Sequence, residues 1–143
     1  MLGGDDCFNA DAPSQFVIAG RVLAYVNTTC DTVSGSDTVI AVDLRTRTRR
    51  YQAPATTTPA AAADVYAGVE TLVIARGGEV AWVATYQGPG GKPRIYEVRR
   101  ATPTNRESVL LDSGADVLPG SLAISADRVY WMRGSAPQSA PLR

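Results

Sequence analysis

The chain has no histidine. That absence excludes histidine metal ligands, Ser-His-Asp and Cys-His catalysis, and a histidine pH switch. Lysine is almost absent, since Lys92 accompanies 13 arginines, and the 14 basic residues are balanced by 14 acidic ones. A net charge of zero argues against nucleic-acid binding, because proteins that bind nucleic acid usually carry a basic excess. No apolar run approaches the roughly 18–20 residues of a spanning helix, so membrane insertion is not expected.

Cysteine is also scarce, and the two that occur, Cys7 and Cys30, are 23 positions apart. Two thiols without histidines cannot complete a four-ligand zinc site, and the spacing is not that of a Cys-x-x-Cys redox pair. We therefore predict a structural disulfide, which would stabilise the fold by about 3 kcal/mol on the chain-entropy model. A disulfide implies an oxidising compartment, so the chain is expected to be extracellular or periplasmic.

The first 14 residues lack the basic and apolar regions of a signal peptide. Three alternatives therefore stay open. The mature form has been trimmed, the chain belongs to a longer one, or both thiols are free inside a cell.

One shape occurs three times in what the sequence does contain. Each copy has an apolar run, a short polar or glycine turn, and a second apolar run with an aromatic residue, which is the pattern of a β-hairpin. The aromatics recur after 57 and then 49 residues, and an isoleucine precedes each by seven or eight positions. They are Tyr25, Trp82 and Trp131, with Ile18, Ile74 and Ile124. A repeat of this length with short strands is typical of propeller blades.

Further strands follow each hairpin. Residues 39–44 and 49–52 predict the third and fourth strands of the first unit, and "PRIYEVRR" and "ESVLLDSG" predict those of the second. "SAPQSAPLR" predicts a third strand in the last unit. The predicted organisation is a tail tethered by the disulfide (1–13), blade 1 (14–52), a Pro/Ala/Thr linker (53–68), blade 2 (69–117) and a partial blade 3 (118–143).

Apolar residues also occur at successive positions of these strands, as in Val-Ile-Ala-Val, Leu-Val-Ile-Ala and Val-Leu-Leu. Such strands are predicted to be covered on both faces, as they are in blades stacked face to face. We therefore expect an all-β, antiparallel fold of about two and a half four-stranded propeller blades. The alternative is an open β-sandwich.

A family resemblance supports the propeller. "VIAVDLRTRTRRYQ" resembles the outer hairpin of propeller blades, in which an Asp-Leu-x-Thr element makes the turn and glycine often follows. Asp43, Leu44 and Thr46 match that element, while Arg47 stands where the glycine would be. "SADRVYW" is similar to the inner hairpin of secreted bacterial propellers related to the TolB and YVTN-type repeats. The resemblance implies an architecture and no catalytic motif.

The number of blades has a consequence for partners. A closed propeller needs roughly four to eight blades, and about two and a half would leave apolar faces and strand edges open. Further blades, or self-association, are therefore expected to close the ring. A bound protein or small molecule is also possible, and no cofactor is predicted.

Several polar segments are candidates for a site. The arginines of "RTRTRR" could form a basic patch, but a solvated outer hairpin is the simpler interpretation. Asp112 and Asp116 could be imagined as an acid/base pair, which spacing within a turn cannot establish, and Ser113 lies in no G-x-S-x-G elbow. The carboxylates of Asp5, Asp6, Asp11, Asp31 and Asp37 do not have the spacing of a calcium loop.

Two loops and the repeated aromatics complete the candidates. The Ala/Pro/Thr stretch 53–68 could be a glycosylated or partner-binding loop, but it is simply interpreted as a linker, with one helical turn at 60–65. "YQGPGGKP" lacks a nucleotide fingerprint and is interpreted as a wide turn. The aromatics could stack on a ligand, but a repeated core position is favoured.

We therefore predict a non-catalytic binding or scaffolding propeller module, exported, with a ligand that the sequence does not specify. The alternative is part of a larger propeller enzyme, a hydrolase or lyase, whose catalytic residues lie outside this chain.

Overall fold

The computed structural model describes residues 13–30, 35–56, 66–87, 90 and 92–143. In these ranges the regular structure is eleven β-strands and one short 3-10 helix at Pro119–Ser121, with no α-helix. The strands are β1 (Pro13–Ala19), β2 (Val22–Cys30), β3 (Gly35–Asp43), β4 (Thr48–Pro54), β5 (Tyr66–Ile74), β6 (Val80–Gln87), β7 (Ile95–Thr102), β8 (Asn105–Gly114), β9 (Ala123–Ser125), β10 (Arg128–Arg133) and β11 (Ala136–Pro141). The all-β fold predicted from the sequence is confirmed.

The three predicted hairpins are present. They are the antiparallel pairs β1–β2, β5–β6 and β9–β10, and the predicted polar turns close them. Two of these turns leave only two residues unpaired, since Ala19 pairs with Val22 and Ser125 pairs with Arg128. The β5–β6 turn is longer and is closed by a hydrogen bond of 2.8 Å from the Ala75 N–H to the Glu79 carbonyl.

The strands group into three units of antiparallel neighbours in chain order. Unit 1 is β1–β4, unit 2 is β5–β8 and unit 3 is β9–β11. Units 1 and 2 join where the first residues of β3 and β5 pair in parallel, Gly35 with Tyr66 and Ser36 with Ala67. Because this pairing involves only two residues of each strand, the units otherwise meet through their side chains.

Strand direction places the connections on two sides. Neighbouring strands within each unit are antiparallel, and β3 is parallel to β5. The turns that join β1–β2, β3–β4, β5–β6 and β7–β8 therefore lie on one side, here called the short-turn side. The connections that leave β2, β4, β6 and β8 lie on the opposite, long-loop side.

Two buried clusters hold the units together, one between units 1 and 2 and one between units 2 and 3. Strand β6 belongs to both, because Val80, Trp82 and Ala84 point into the first cluster and Ala81 and Val83 into the second. All five are 0 % exposed, so the prediction of strands covered on both faces is right for β6.

The Val-Leu-Leu run is the exception. Val109 and Leu110 in β8 are 36 % and 48 % exposed, so the prediction that this strand is covered on both faces is wrong. Strand β8 is the last strand of unit 2 and pairs with β7 alone. An edge strand has fewer neighbours to cover it than a central one, and successive apolar residues in the sequence do not reveal that position.

Among the residues that the structure describes, three non-glycine residues have a positive φ, and two of them lie in turns: Arg47 at 56° and Ala126 at 54°. Arg47 occupies the position where the related blade turns often have glycine. Ala126 is the first residue of a two-residue loop, the position that Gly20 and Gly134 occupy in the loops of β1–β2 and β10–β11. Hairpin loops of this length use turns with a positive φ at that residue, which favours glycine.

We expect Arg47→Gly and Ala126→Gly each to raise the free energy of unfolding by about 0.5–1 kcal/mol. A left-handed residue with a side chain costs about 1–2 kcal/mol, and the greater unfolded-state freedom of glycine offsets part of that gain. Urea denaturation of each variant and of the wild type measures this change in the free energy of unfolding. Gly134→Ala is the matched control, since an added Cβ meets open space there and only the positive φ of 57° opposes it. A loss of stability in both glycine variants would contradict the prediction.

Several predictions fall outside the described residues. They concern the tail with Cys7, Asp5, Asp6 and Asp11, the loop residue Asp31, and the helical turn at 60–65. Cys30 is the last residue of β2. The Cys7–Cys30 disulfide therefore stays a prediction.

Candidate functional site

One face of unit 1 exposes large apolar side chains. Phe16 and Ile18 of β1 are 58 % and 63 % exposed, and Leu23 and Tyr25 of β2 lie half-buried beside them. The Phe16 and Tyr25 rings stack at a centroid distance of 6.0 Å. These four residues are here called the open face. The opposite face of β2 presents Val22, Ala24 and Val26 to the cluster shared with unit 2.

The repeated aromatics hold equivalent positions in the three hairpins. The residues that close the turns are Val22, Glu79 and Arg128. Tyr25, Trp82 and Trp131 each follow the closing residue by three positions. Because side chains alternate along a strand, equal spacing from the turn directs all three to the same face of their units. For Trp82 and Trp131, that face packs on the preceding unit.

Each tryptophan also makes a hydrogen bond to the preceding unit. The indole N–H of Trp82 donates to the Ala55 carbonyl at 2.8 Å, directly after β4. The indole N–H of Trp131 donates to the Asp112 carboxylate at 2.7 Å, near the end of β8. The acceptor therefore lies at the end of the last strand of the preceding unit in both cases, which satisfies an indole N–H that burial would otherwise leave unpaired.

The three aromatics differ in how deeply they are buried. Trp82 is 0 % exposed and Trp131 is 5 % exposed, so both occupy the core position that the repeat predicted. Tyr25 does not, since it belongs to neither buried cluster. Among the described residues no unit precedes unit 1, and the face that Tyr25 shares with Phe16 is left open.

Comparison with known proteins identifies the architecture. No family model matches the chain, and no curated protein matches its sequence. A solved structure does resemble it, the β-propeller domain of the Trilobed protease from Pyrococcus furiosus, which is described as having an open velcro topology. The TM-score is 0.60 at 16 % sequence identity. The match covers 86 % of this chain and 34 % of the other, so the chain spans about a third of the neighbour's length.

The chain folds as β-propeller blades. Units 1, 2 and 3 are called blades 1, 2 and 3 from here on. The propeller predicted from the repeat and from the family resemblance is thus supported at the level of the fold.

The arginine-rich turn after β3 is a solvated hairpin. Arg45, Arg47 and Arg49 are exposed, and Arg50 is half-buried. Arg50 pairs with Asp43 at 2.9 Å between Nη2 and Oδ2, and Arg21 approaches the same oxygen to 3.0 Å. The other Asp43 oxygen accepts the backbone N–H groups at 45 and 46. Asp43 therefore fixes the turn and ties it to the neighbouring β1–β2 turn.

The hydrogen bond from Arg50 lowers the pKa of the Asp43 carboxyl, with further help from the turn N–H groups and from Arg21. A carboxyl with a depressed pKa stabilises the fold above its unfolded pKa of about 3.9, and that contribution is lost as the pH falls through the folded pKa. We expect Asp43→Asn to be less stable than the wild type at neutral pH and to differ from it less at pH 3 and below. Urea midpoints across that range measure the difference. A constant difference would contradict the prediction.

Asp37 links blades 1 and 2 on the long-loop side. Its carboxylate accepts a hydrogen bond from the Thr28 hydroxyl at 2.6 Å and another from the Val69 N–H at 2.8 Å. Burial raises the pKa of Asp37, and both hydrogen bonds oppose the rise. Through these two hydrogen bonds Asp37 acts as a structural link between the blades.

Asp112 and Asp116 do come together, around an arginine. Arg133 Nη1 lies 2.7 Å from Asp112 Oδ1, and Arg133 Nε lies 3.0 Å from Asp116 Oδ2. Since Asp112 also accepts the Trp131 indole N–H, the cluster connects blade 2 to blade 3. Ser113 lies next to it in β8, and its backbone N–H donates to Asp112.

A cleft of about 470 Å³ opens on the short-turn side, and the charged residues that line it are Arg50, Glu79, Arg100, Glu107 and Arg143. Arg143 Nε donates to the buried Glu79 carboxylate at 2.6 Å, and Arg100 Nη1 donates to the Pro141 carbonyl at 2.9 Å. Arg50 is held by Asp43. Each of the three arginines thus already has a partner within the fold.

No group of three or more His, Cys, Asp or Glu side chains suited to a metal ion occurs in the described part of the chain. Nor do the described residues include a helix of the length and hydropathy needed to span a membrane. The "YQGPGGKP" turn is described only in part.

Proposed function

We propose that this chain is a non-catalytic binding or scaffolding β-propeller module that works outside the cytoplasm. The observation that carries the proposal is the open face. Phe16 and Ile18 are more than half exposed on a strand whose counterparts in blades 2 and 3 pack on a neighbour. A contiguous exposed apolar patch typically marks an interaction site.

A dye that binds exposed apolar surface tests the open face directly. We expect anilinonaphthalene sulfonate to fluoresce with the wild type and to lose most of that signal in the Phe16→Ser/Ile18→Ser double variant. Tyr130→Ser is the matched control, because Tyr130 is 40 % exposed on the outer surface of blade 3. Dye fluorescence that is the same in all three proteins would overturn the proposed binding role.

Export rests on the predicted Cys7–Cys30 disulfide. Thiol titration of the denatured, unreduced protein is expected to find no reactive thiol, and reduction is expected to release both. Two reactive thiols before reduction would remove the argument for an oxidising compartment. A relation to TolB and YVTN-type repeats belongs to the same proposal. It is supported by "SADRVYW", which runs from the last residue of β9 through the turn into β10.

A second candidate function comes from the solved neighbour, which is the propeller domain of a protease. In this alternative, the blades are part of a larger hydrolase or lyase whose catalytic residues lie outside residues 1–143. Hydrolysis of a peptide library by the product of the whole reading frame, and not by this chain, would favour the enzyme over the binding module.

A further inference from the structure

The two interfaces between blades share one design. At each interface the later blade in the chain, here called the incoming blade, contributes a tryptophan. The earlier blade, here called the receiving blade, contributes small aliphatic side chains, and Tyr51 of β4 adds a larger side chain at the first interface. Trp82 shares its cluster with Ala24, Ala41 and Ala53 of blade 1. Trp131 shares its cluster with Ala81 and Val83 of blade 2. Large side chains packed over small ones allow two sheets to approach closely without voids.

The hydrogen bonds repeat as well. The indole of the incoming blade donates to an acceptor at the end of the last strand of the receiving blade, at 2.8 Å for Trp82 and 2.7 Å for Trp131. Tyr25 holds the equivalent position in blade 1 and carries a hydroxyl, which is also a donor. The open face of blade 1 is therefore the incoming half of an interface of the same kind. The described residues do not include a blade that would supply the receiving half.

We propose that the open face binds a further β-propeller blade, one that presents small aliphatic side chains and offers the Tyr25 hydroxyl an acceptor at the end of its last strand. This inference rests on the proposed function and specifies the partner of the same surface. Phe16 and Ile18 pack on the small side chains of that blade, and Tyr25 selects it through the hydrogen bond.

A second copy of the chain is a poor occupant, because its described residues offer no matching free surface. The small receiving faces of blades 1 and 2 are buried within the molecule. On the outer face of blade 3, Tyr130 stands where the receiving blades have Ala24 and Ala81, two positions after the turn-closing residue. The exposed Arg128 lies beside it. A large and a charged side chain at these positions oppose close packing of another blade.

The free edge of β11 is also protected. Leu142 N–H bonds to the Asp127 carbonyl across the hairpin, so the even-numbered residues direct their N–H groups toward β10. Pro137, Ser139 and Pro141 then face the free edge, where only Ser139 has an N–H to donate. Prolines at such an edge hinder the addition of another strand. Strand β11 is therefore a poor edge for a further strand, and the open face of blade 1 is the better surface for a partner.

A tandem chain supplies the missing blade. A second copy of residues 66–121, which hold blade 2 and the connection that follows it, is joined directly to Phe16. In the wild type this connection leads into β9, and in the tandem chain it leads into β1. We expect the amides of β1 to exchange hydrogen more slowly than in the wild type, and Phe16→Ser/Ile18→Ser to lower the thermal midpoint of the tandem chain more than that of the wild type. Dye binding is not the readout here, because the added copy exposes the face around its own Trp82. Unchanged exchange of the β1 amides, or an equal effect of the double substitution in both proteins, would overturn the proposal.

Tyr25 is tested in the same tandem chain. Tyr25→Phe and Asp112→Ala in the added copy are made singly and together. The Tyr25 hydroxyl is expected to donate to the Asp112 carboxylate of the added copy, as the Trp131 indole donates to Asp112 in the wild type. The unfolding equilibrium constant of the double variant should then differ by about tenfold from the value expected if the two single effects were independent. Additive effects would overturn the role of Tyr25.

Sedimentation of the wild-type chain at low micromolar and at near-millimolar concentration tests whether a second copy of the chain covers the open face instead. A monomer at both concentrations is the expected result. A dimer or ring that Phe16→Arg dissociates would show that a second copy fills the open face, which overturns the inference while the proposed binding role stands. A wild type that does not bind the dye would instead count against the binding role itself.

Discussion

Trp82→Ala is expected to lower the free energy of unfolding by about 3–5 kcal/mol. Trp82 is 0 % exposed at the centre of the interface between blades 1 and 2, so its removal leaves a cavity that the sheets cannot close. It also leaves the Ala55 carbonyl without its donor. Since a domain is typically stable by only about 5–15 kcal/mol, this single change is expected to unfold a large part of the population on mild heating.

Circular dichroism during urea denaturation measures the effect. Tyr130→Ala is the control, since Tyr130 is 40 % exposed, and we expect it to change stability by about 0.5 kcal/mol or less. Trp82→Phe keeps most of the ring and removes the donor, so an intermediate loss of about 1–3 kcal/mol is expected. Equal losses in Trp82→Ala and Tyr130→Ala would contradict the interface between blades 1 and 2.

Arg99→Met is expected to destabilise the fold by about 3–5 kcal/mol. Arg99 Nε lies 2.7 Å from Glu97 Oε2, and the two side chains are only 3 % and 11 % exposed. Arg99 also donates to the Ser108 hydroxyl at 2.9 Å, which ties β7 to β8. Removing the cation leaves a nearly buried carboxylate without this partner, and an uncompensated buried charge is costly.

The double variant Arg99→Met/Glu97→Leu separates charge from packing. Because an apolar pair of similar volume can replace a buried ion pair at little cost, we expect the double variant to be more stable than Arg99→Met alone. Urea denaturation at neutral pH compares the three proteins. A double variant less stable than the single one would show that the loss comes from packing and not from the unpaired charge.

The local pattern of the sequence was enough to predict the hairpins. Apolar runs on either side of a short turn, the second with an aromatic residue, specify strands through interactions between near neighbours, and β1–β2, β5–β6 and β9–β10 formed where they were predicted. The arginine-rich turn was interpreted correctly as solvated. The role of Asp43 in that turn had a signal in the Asp-Leu-x-Thr element.

No such signal pointed to the contacts between blades. Trp82 bonds a carbonyl 27 residues away, and Asp37 bonds an N–H 32 residues away. Spacing along a chain cannot reveal such pairs, because they depend on how far each sheet twists and on which face meets the next.

The sequence by itself therefore determined the strands, the turns and the equivalence of Tyr25, Trp82 and Trp131, since these follow from side-chain alternation along each strand. Only the tertiary structure decided that two of the three aromatics are buried and that the third lies on an open face. Burial is a property of a neighbouring sheet, and blade 1 has such a neighbour on one of its two faces within the described residues.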